Sequence, residues 1–181
     1  MRALLIDCET TSLILNRTVA DAHLPRIVEF HGSLMELVSD GSETVDSLDT
    51  LVRPRGSIDR TSKAAEITGI TDETLRDAPP IETVFPRIKA IIESSPLVIA
   101  HNASFDREVV DIEAERLNQK VAWPRVLCTV EQTAHLKGYR LSLSDLYFEF
   151  FGERFAGAHR ARVDVDALAR IVVEMIRRDL L

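Results

Sequence analysis

The sequence predicts an α/β layer fold, a mixed sheet with helices packed against it. Residues 3–6 and 96–100 are short, continuously apolar runs, the pattern of strands buried on both faces. Two longer strand-like stretches follow the first run with no helix between them. After that, strands alternate with segments of helical period, which gives a mixed sheet rather than a purely antiparallel one.

Taken in order, residues 3–6 form a strand that ends against the acids of Asp7-Cys8-Glu9. Residues 13–24 have mixed polarity and no period, and read as a loop. Residues 25–38 and 44–53 form two further strands around the turn cluster Ser39-Asp40-Gly41-Ser42, an antiparallel hairpin beside the first strand. Helices are expected at 61–68 and 81–94, the second introduced by Pro79-Pro80 with Glu82 in its first turn. The run 96–100 is the next strand, and 105–118 repeats Phe105, Val109 and Ile112 at helical spacing. A last strand falls at 126–128, with helices near 143–151 and 163–178. No repeat, low-complexity tract or linker interrupts the chain, so residues 1–181 are expected to form one domain.

The composition is that of a soluble globular protein, 45% hydrophobic and 28% charged. A net charge of −7 argues against gripping nucleic acid by bulk positive charge. It leaves nucleic acid open as a substrate, because bound divalent cations reverse the field of an acidic site. Cys8 and Cys128 are far apart and in no metal-ligand spacing, which disfavours a disulfide framework or zinc knuckle and fits a reducing, cytoplasmic setting. The N-terminal apolar run is too short for a signal peptide, and no later run has membrane length.

Three acidic motifs stand at the ends of predicted elements. Asp7 and Glu9 alternate about Cys8, so on a strand they point the same way. Two carboxylates side by side at the end of a buried strand are costly without a cation or donors. Taken alone, the motif also fits a solvated acidic turn. His101-Asn102-Ala103-Ser104-Phe105-Asp106 follows the strand 97–100, where ligands of open α/β sheets sit. Asp106 shares a helical line with Val110 and Leu117 and should lean inward; taken alone, it also fits a residue complementing a helix dipole. Asp164 heads the row Leu168, Ile171, Met175, whereas Asp166 lies roughly 200° round the helix and should face water. His159 just precedes that helix and in isolation is a surface imidazole. Together, Asp7, Glu9, Asp106, Asp164 and His159 make a hard-cation site suited to magnesium or manganese, with no thiolate cluster to favour zinc.

These motifs, in this order, resemble those of the DEDD-type (DnaQ-like) 3′-to-5′ exonucleases, in the subgroup whose third motif carries His. Asp7-Cys8-Glu9-Thr10-Thr11 resembles the first motif, residues 101–106 the second, and His159 with Asp164 the third. The stretches Ile67-Thr68-Gly69-Ile70-Thr71, Ala78-Pro79-Pro80, Cys128-Thr129, Leu141-Ser142-Leu143 and Gly157-Ala158-His159 extend the likeness over nearly the whole chain.

The resemblance implies an RNase H-like fold with a five-stranded mixed sheet, and a phosphodiester hydrolase using two Mg²⁺ or Mn²⁺ ions. On that analogy Asp7, Glu9 and Asp164 bind one ion, Asp7 also touches the second, and Asp106 helps through coordinated water. His159 would be the general base, Thr10 and Thr11 would meet the terminal nucleotide, and Asn102 would help hold the strand. The expected substrate is the 3′ end of single-stranded DNA, with trimming of RNA or short oligonucleotides as the alternative. A DNA polymerase or a second copy of the chain are the partners it leaves open. Two departures stand out: Ser12 occupies a position where the family usually has Gly, and residues 13–24 are longer than the usual connection.

Overall fold

A computed structural model describes residues 1–14, 16, 18, 20–56, 58 and 61–181. The first strand, β1, runs from Arg2 to Thr10, past the apolar run that announces it, so Asp7 and Glu9 lie within the strand. β2 (Ile27–Val38) and β3 (Gly41–Leu51) form the expected hairpin. Its turn is tighter than the sequence cluster suggests: Gly41 and Ser42 already pair with Val38 and Leu37, leaving only Ser39 and Asp40 to reverse the chain. β4 (Leu97–Ala100) and β5 (Arg125–Cys128) complete a five-stranded sheet in the order β3-β2-β1-β4-β5. The β3-β2-β1 half is antiparallel and the β1-β4-β5 half parallel.

Six helices are described: α1 (Lys63–Thr68), α2 (Ile81–Glu93), α3 (Ala103–Arg116), α4 (Thr129–Lys137), α5 (Leu143–Phe151) and α6 (Ala161–Arg177). Side-chain alternation along β1 sorts them onto the two faces of the sheet. Leu4, Ile6 and Cys8 pack with Phe85 and Ile88 of α2 and Val109 and Val110 of α3. Ala3 and Leu5, on the opposite face, pack with Val165, Leu168 and Val172 of α6. α5 then covers the outer side of α6 through Leu146, Tyr147 and Phe150.

α4 has no counterpart in the sequence reading. The loop expected at 13–24 contains a one-turn 3-10 helix, Asp21–His23, and its residues Leu15, Arg17 and Val19 lie outside the described residues. Arg116 ties the end of that loop to α3: its Nε donates to Asp21 Oδ1 at 2.6 Å and its Nη1 to the Pro25 carbonyl at 2.8 Å.

What positions the site is the end of β4. β1 and β4 pair only over Leu4–Leu5 and Val98–Ile99, and β1 then runs on beyond its neighbour. A crevice opens there at the carboxyl ends of the two central parallel strands, the place where the strand order switches direction.

Candidate active site

The first carboxylate is fixed by a backbone need. Cys8 lies beyond the reach of β4, so its N–H has no strand partner on that side. Asp106, in the first turn of α3, accepts this N–H at 3.0 Å and is buried in doing so. A structural requirement of the sheet edge therefore places Asp106 against Asp7 and Glu9. The two strand acids face the α6 side of the sheet, where their cross-strand neighbours on β2 are His31 and Glu29. Glu9 pairs with Glu29 but Thr10 pairs with Ile27, so Val28 is an extra residue on β2. Such bulges re-aim neighbouring side chains.

Asp164 closes the group from α6. It is buried at the head of the apolar row, whereas Asp166 is exposed, as helical phase requires. Its Oδ2 accepts the backbone N–H of His159 at 2.9 Å. His159 sits at φ 69°, a left-handed conformation that side chains other than Gly adopt rarely and that clusters at functional sites. That hydrogen bond holds the strained turn and keeps the imidazole beside the acids. Donor atoms of Glu9, His159 and Asp164 lie within 4.8 Å of one another, close enough to share one ion. One cleft of about 360 Å³ is lined by Asp7, Glu9, Asp106, His159 and Asp164 together, with Asn102 at its edge.

Electrostatics mark the same group. Burial, then repulsion from Asp106, Asp164 and Glu9, holds the Asp7 carboxyl well above the ordinary carboxylate range. Burial, reinforced by neighbouring acids, pushes Glu9 up to about 7. Burial raises Asp106 to about 7 and Asp164 to about 6, against backbone N–H donors that favour the charged form. No lysine or arginine among the described residues makes an ion pair with any of the four. Buried carboxylates that repel one another, with no ion pair to a lysine or arginine among the described residues, fit hard divalent ions, which oxygen donors bind best.

One residue of the site escapes sequence reading. Glu29 is buried on β2 and receives Arg160 through Nε at 3.0 Å and Nη2 at 2.8 Å, plus the Ala161 N–H at 3.2 Å. It anchors the first turn of α6 to the sheet, directly between His159 and Asp164 in sequence. In the sequence it is one of several polar residues in its strand, with His31, Ser33 and Glu36, and nothing local sets it apart.

The remaining expected residues take mixed positions. Thr10 is buried and its hydroxyl donates to the Ser12 carbonyl at 2.8 Å, while Thr11 Oγ1 accepts the Arg26 N–H at 3.0 Å. Both hydroxyls are thus engaged in shaping the loop. Ser12 does not adopt a left-handed φ, so this loop does not require Gly there. Thr10 and Thr11 line a second chamber of about 760 Å³, with Leu13, Lys63, Ile67 and Phe105, and it shares Glu9 and His159 with the cleft. His101 plays a structural part. The Leu141 carbonyl has no proton to give, so His101 Nε2 donates to it at 3.1 Å, and Nδ1 faces the Thr129 hydroxyl at 2.9 Å. Burial pushes this imidazole down to about 4.

A family profile described as "Exonuclease" (RNase_T) matches residues 4–172. The chain belongs to this family of DnaQ-like 3′-to-5′ exonucleases. This exonuclease is 36% identical, over 138 residues and 74% of its length, to a DNA polymerase III PolC-type protein of Caldanaerobacter subterraneus subsp. tengcongensis. It is 30% identical over 180 residues, 96% of its length, to the DNA polymerase III PolC-type protein of Thermotoga maritima. It spans only 9% and 12% of those two relatives. Among solved structures it is similar to exonuclease X in complex with 5′ overhanging duplex DNA, at 25% identity and TM-score 0.69, covering 97% of this chain and 92% of the other. The nuclease domain of 3′hExo bound to rAMP shares the fold at 18% identity and TM-score 0.74, covering 98% and 92%. The expected RNase H-like, five-stranded architecture is therefore the observed one, and the family implies divalent metal ions. No helix among the described residues is long and apolar enough to cross a membrane.

Proposed function

We propose that this exonuclease removes nucleoside 5′-monophosphates from the 3′ end of single-stranded DNA, using two Mg²⁺ or Mn²⁺ ions. The observation that carries the proposal is one cleft that brings four carboxylates, from β1, α3 and α6, together with the His159 imidazole just before α6. Asp7, Glu9 and Asp164 would hold one ion, with Asp7 and Asp106 toward the second. When bound, such ions would supply positive charge to the attacking and leaving oxygens of an in-line displacement. A ring nitrogen of His159 takes a proton from the attacking water. The water oxygen bonds to phosphorus as the P–O3′ bond breaks, and the departing 3′-oxygen takes up a proton from solvent, leaving a nucleoside 5′-monophosphate and a 3′-hydroxyl on the shortened strand. Thr10, Thr11 and the chamber beside them receive the terminal nucleotide, and Asn102 faces the strand from the cleft edge.

Similarity to DNA polymerase III PolC-type relatives supports DNA over RNA, and a polymerase as the partner for such a nuclease. The test is degradation of 5′-labelled single-stranded DNA and RNA of identical sequence. DNA is expected to shorten stepwise from its 3′ end, faster than RNA, with EDTA stopping the reaction. Faster loss of RNA would replace this substrate with RNA or short oligonucleotides. Wild-type protein that shortens neither would contradict the proposal as a whole.

A further inference from the structure

We infer that the loop between α4 and α5 carries the incoming strand, with Arg140 gripping a phosphate upstream of the scissile one and Tyr139 stacking on an unpaired base. The inference rests on the exonuclease reading above and extends it to residues outside the acidic motifs.

The loop is held at the rim of the cleft. Gly138 ends α4 at φ 75°, which turns the chain. The His101 bond to the Leu141 carbonyl then ties the loop to the segment that precedes α3. Arg140 Nη2 donates to Asn102 Oδ1 at 2.7 Å, and both Asn102 and Ser142, two residues after Arg140, line the cleft. The guanidinium is exposed, and no carboxylate among the described residues pairs with it.

A guanidinium left without a carboxylate at the cleft rim matters in a chain of net charge −7. Several other cations are committed to carboxylates: Lys137 pairs with Glu149, Arg154 with Asp145 and Arg160 with Glu29. Bound ions can neutralise the scissile phosphate, but the next phosphate along must approach an acidic protein without their help. A guanidinium that spends one donor on an amide oxygen and keeps the rest free is suited to it. Tyr139, the preceding residue of the loop, is 62% exposed, and bases stack on exposed aromatic faces without regard to sequence.

The experiment compares steady-state kinetics of wild type, Arg140→Ala, Tyr139→Ala and Arg87→Ala on a long single strand and a dinucleotide, at several salt concentrations. Arg87 is an exposed arginine on α2, and its removal changes net charge by the same amount. Arg140→Ala is expected to raise KM for the long strand by about tenfold, with kcat within about twofold. Its slope of log KM against log salt should fall by about 0.7, the loss of one single-strand phosphate contact. The dinucleotide KM should rise much less, because that substrate has no upstream phosphate. Tyr139→Ala is expected to raise long-strand KM by roughly tenfold without changing the slope. An unchanged slope for Arg140→Ala, an equal effect on both substrates, or the same shift in Arg87→Ala would overturn the phosphate contact. An unaltered KM for Tyr139→Ala would overturn the stacking contact.

Discussion

Replacing Asp7 or Asp164 by Asn is expected to lower turnover by roughly 10³-fold or more. Two-ion stabilisation of a phosphoryl transition state is worth several kcal/mol, and each tenfold costs about 1.4 kcal/mol. Asn keeps the shape and an acceptor oxygen, so the Asp164 bond to the His159 N–H can persist. Loss of activity would then report lost charge rather than lost structure. The metal-free variants should melt no lower than wild type, because each removes one member of a buried, mutually repelling group. Asp166→Asn provides the internal comparison. It is exposed one face away, and a surface substitution within about 0.5 kcal/mol should leave the rate within about twofold. Equal damage from Asp164→Asn and Asp166→Asn would remove Asp164 from the site.

His159→Ala is expected to slow the chemical step by roughly 10²–10⁴-fold, the range for a positioned general base, and to abolish the acidic limb of the pH–rate profile. His159→Asn separates this role from the backbone. Asn tolerates the left-handed conformation found at φ 69°, so it preserves the turn while removing the basic nitrogen. Both variants should still bind metal-dependent substrate. Single-turnover rates across pH decide the matter: an acidic limb that survives in both variants means that another group takes the proton.

The parts of this fold that follow a strict period were legible in the sequence. Asp164 against Asp166 was resolved by helical phase alone, because α6 carries an uninterrupted apolar row behind it. Asp7 and Glu9 share a face because strands alternate, although the strand continues past its apolar run. α4 was invisible for a physical reason. Its buried residues are Thr129, Val130 and Thr133, and Thr133 satisfies its hydroxyl on the Thr129 carbonyl at 2.7 Å, so no apolar row marks the helix. Glu29 was hidden differently. Its partner Arg160 lies 131 residues away, and only the folded sheet brings the two together. His101, part of an acidic-motif stretch in sequence, turns out to brace the loop at Leu141. A contact made to another element leaves no trace in local spacing.

The most direct test of the metal cradle is thermal melting with and without Mn²⁺ as a function of pH. Asp7, Glu9, Asp106 and Asp164 all bind protons more tightly folded than unfolded. Their stabilising contribution to the metal-free protein is therefore complete below the ordinary carboxylate range near pH 4, and is lost as pH rises through about 6 to 7. His101 opposes them as one group, because its depressed value makes its contribution fade as pH falls toward about 4. Metal-free wild type is expected to melt several degrees lower at about pH 8 than at about pH 5.5. Mn²⁺ should restore the loss, most strongly at the higher pH, where ions no longer compete with protons, and should do little for Asp7→Asn or Asp164→Asn. A melting temperature indifferent to Mn²⁺ at high pH, or one raised equally in those variants, would mean that these acids do not hold the ions.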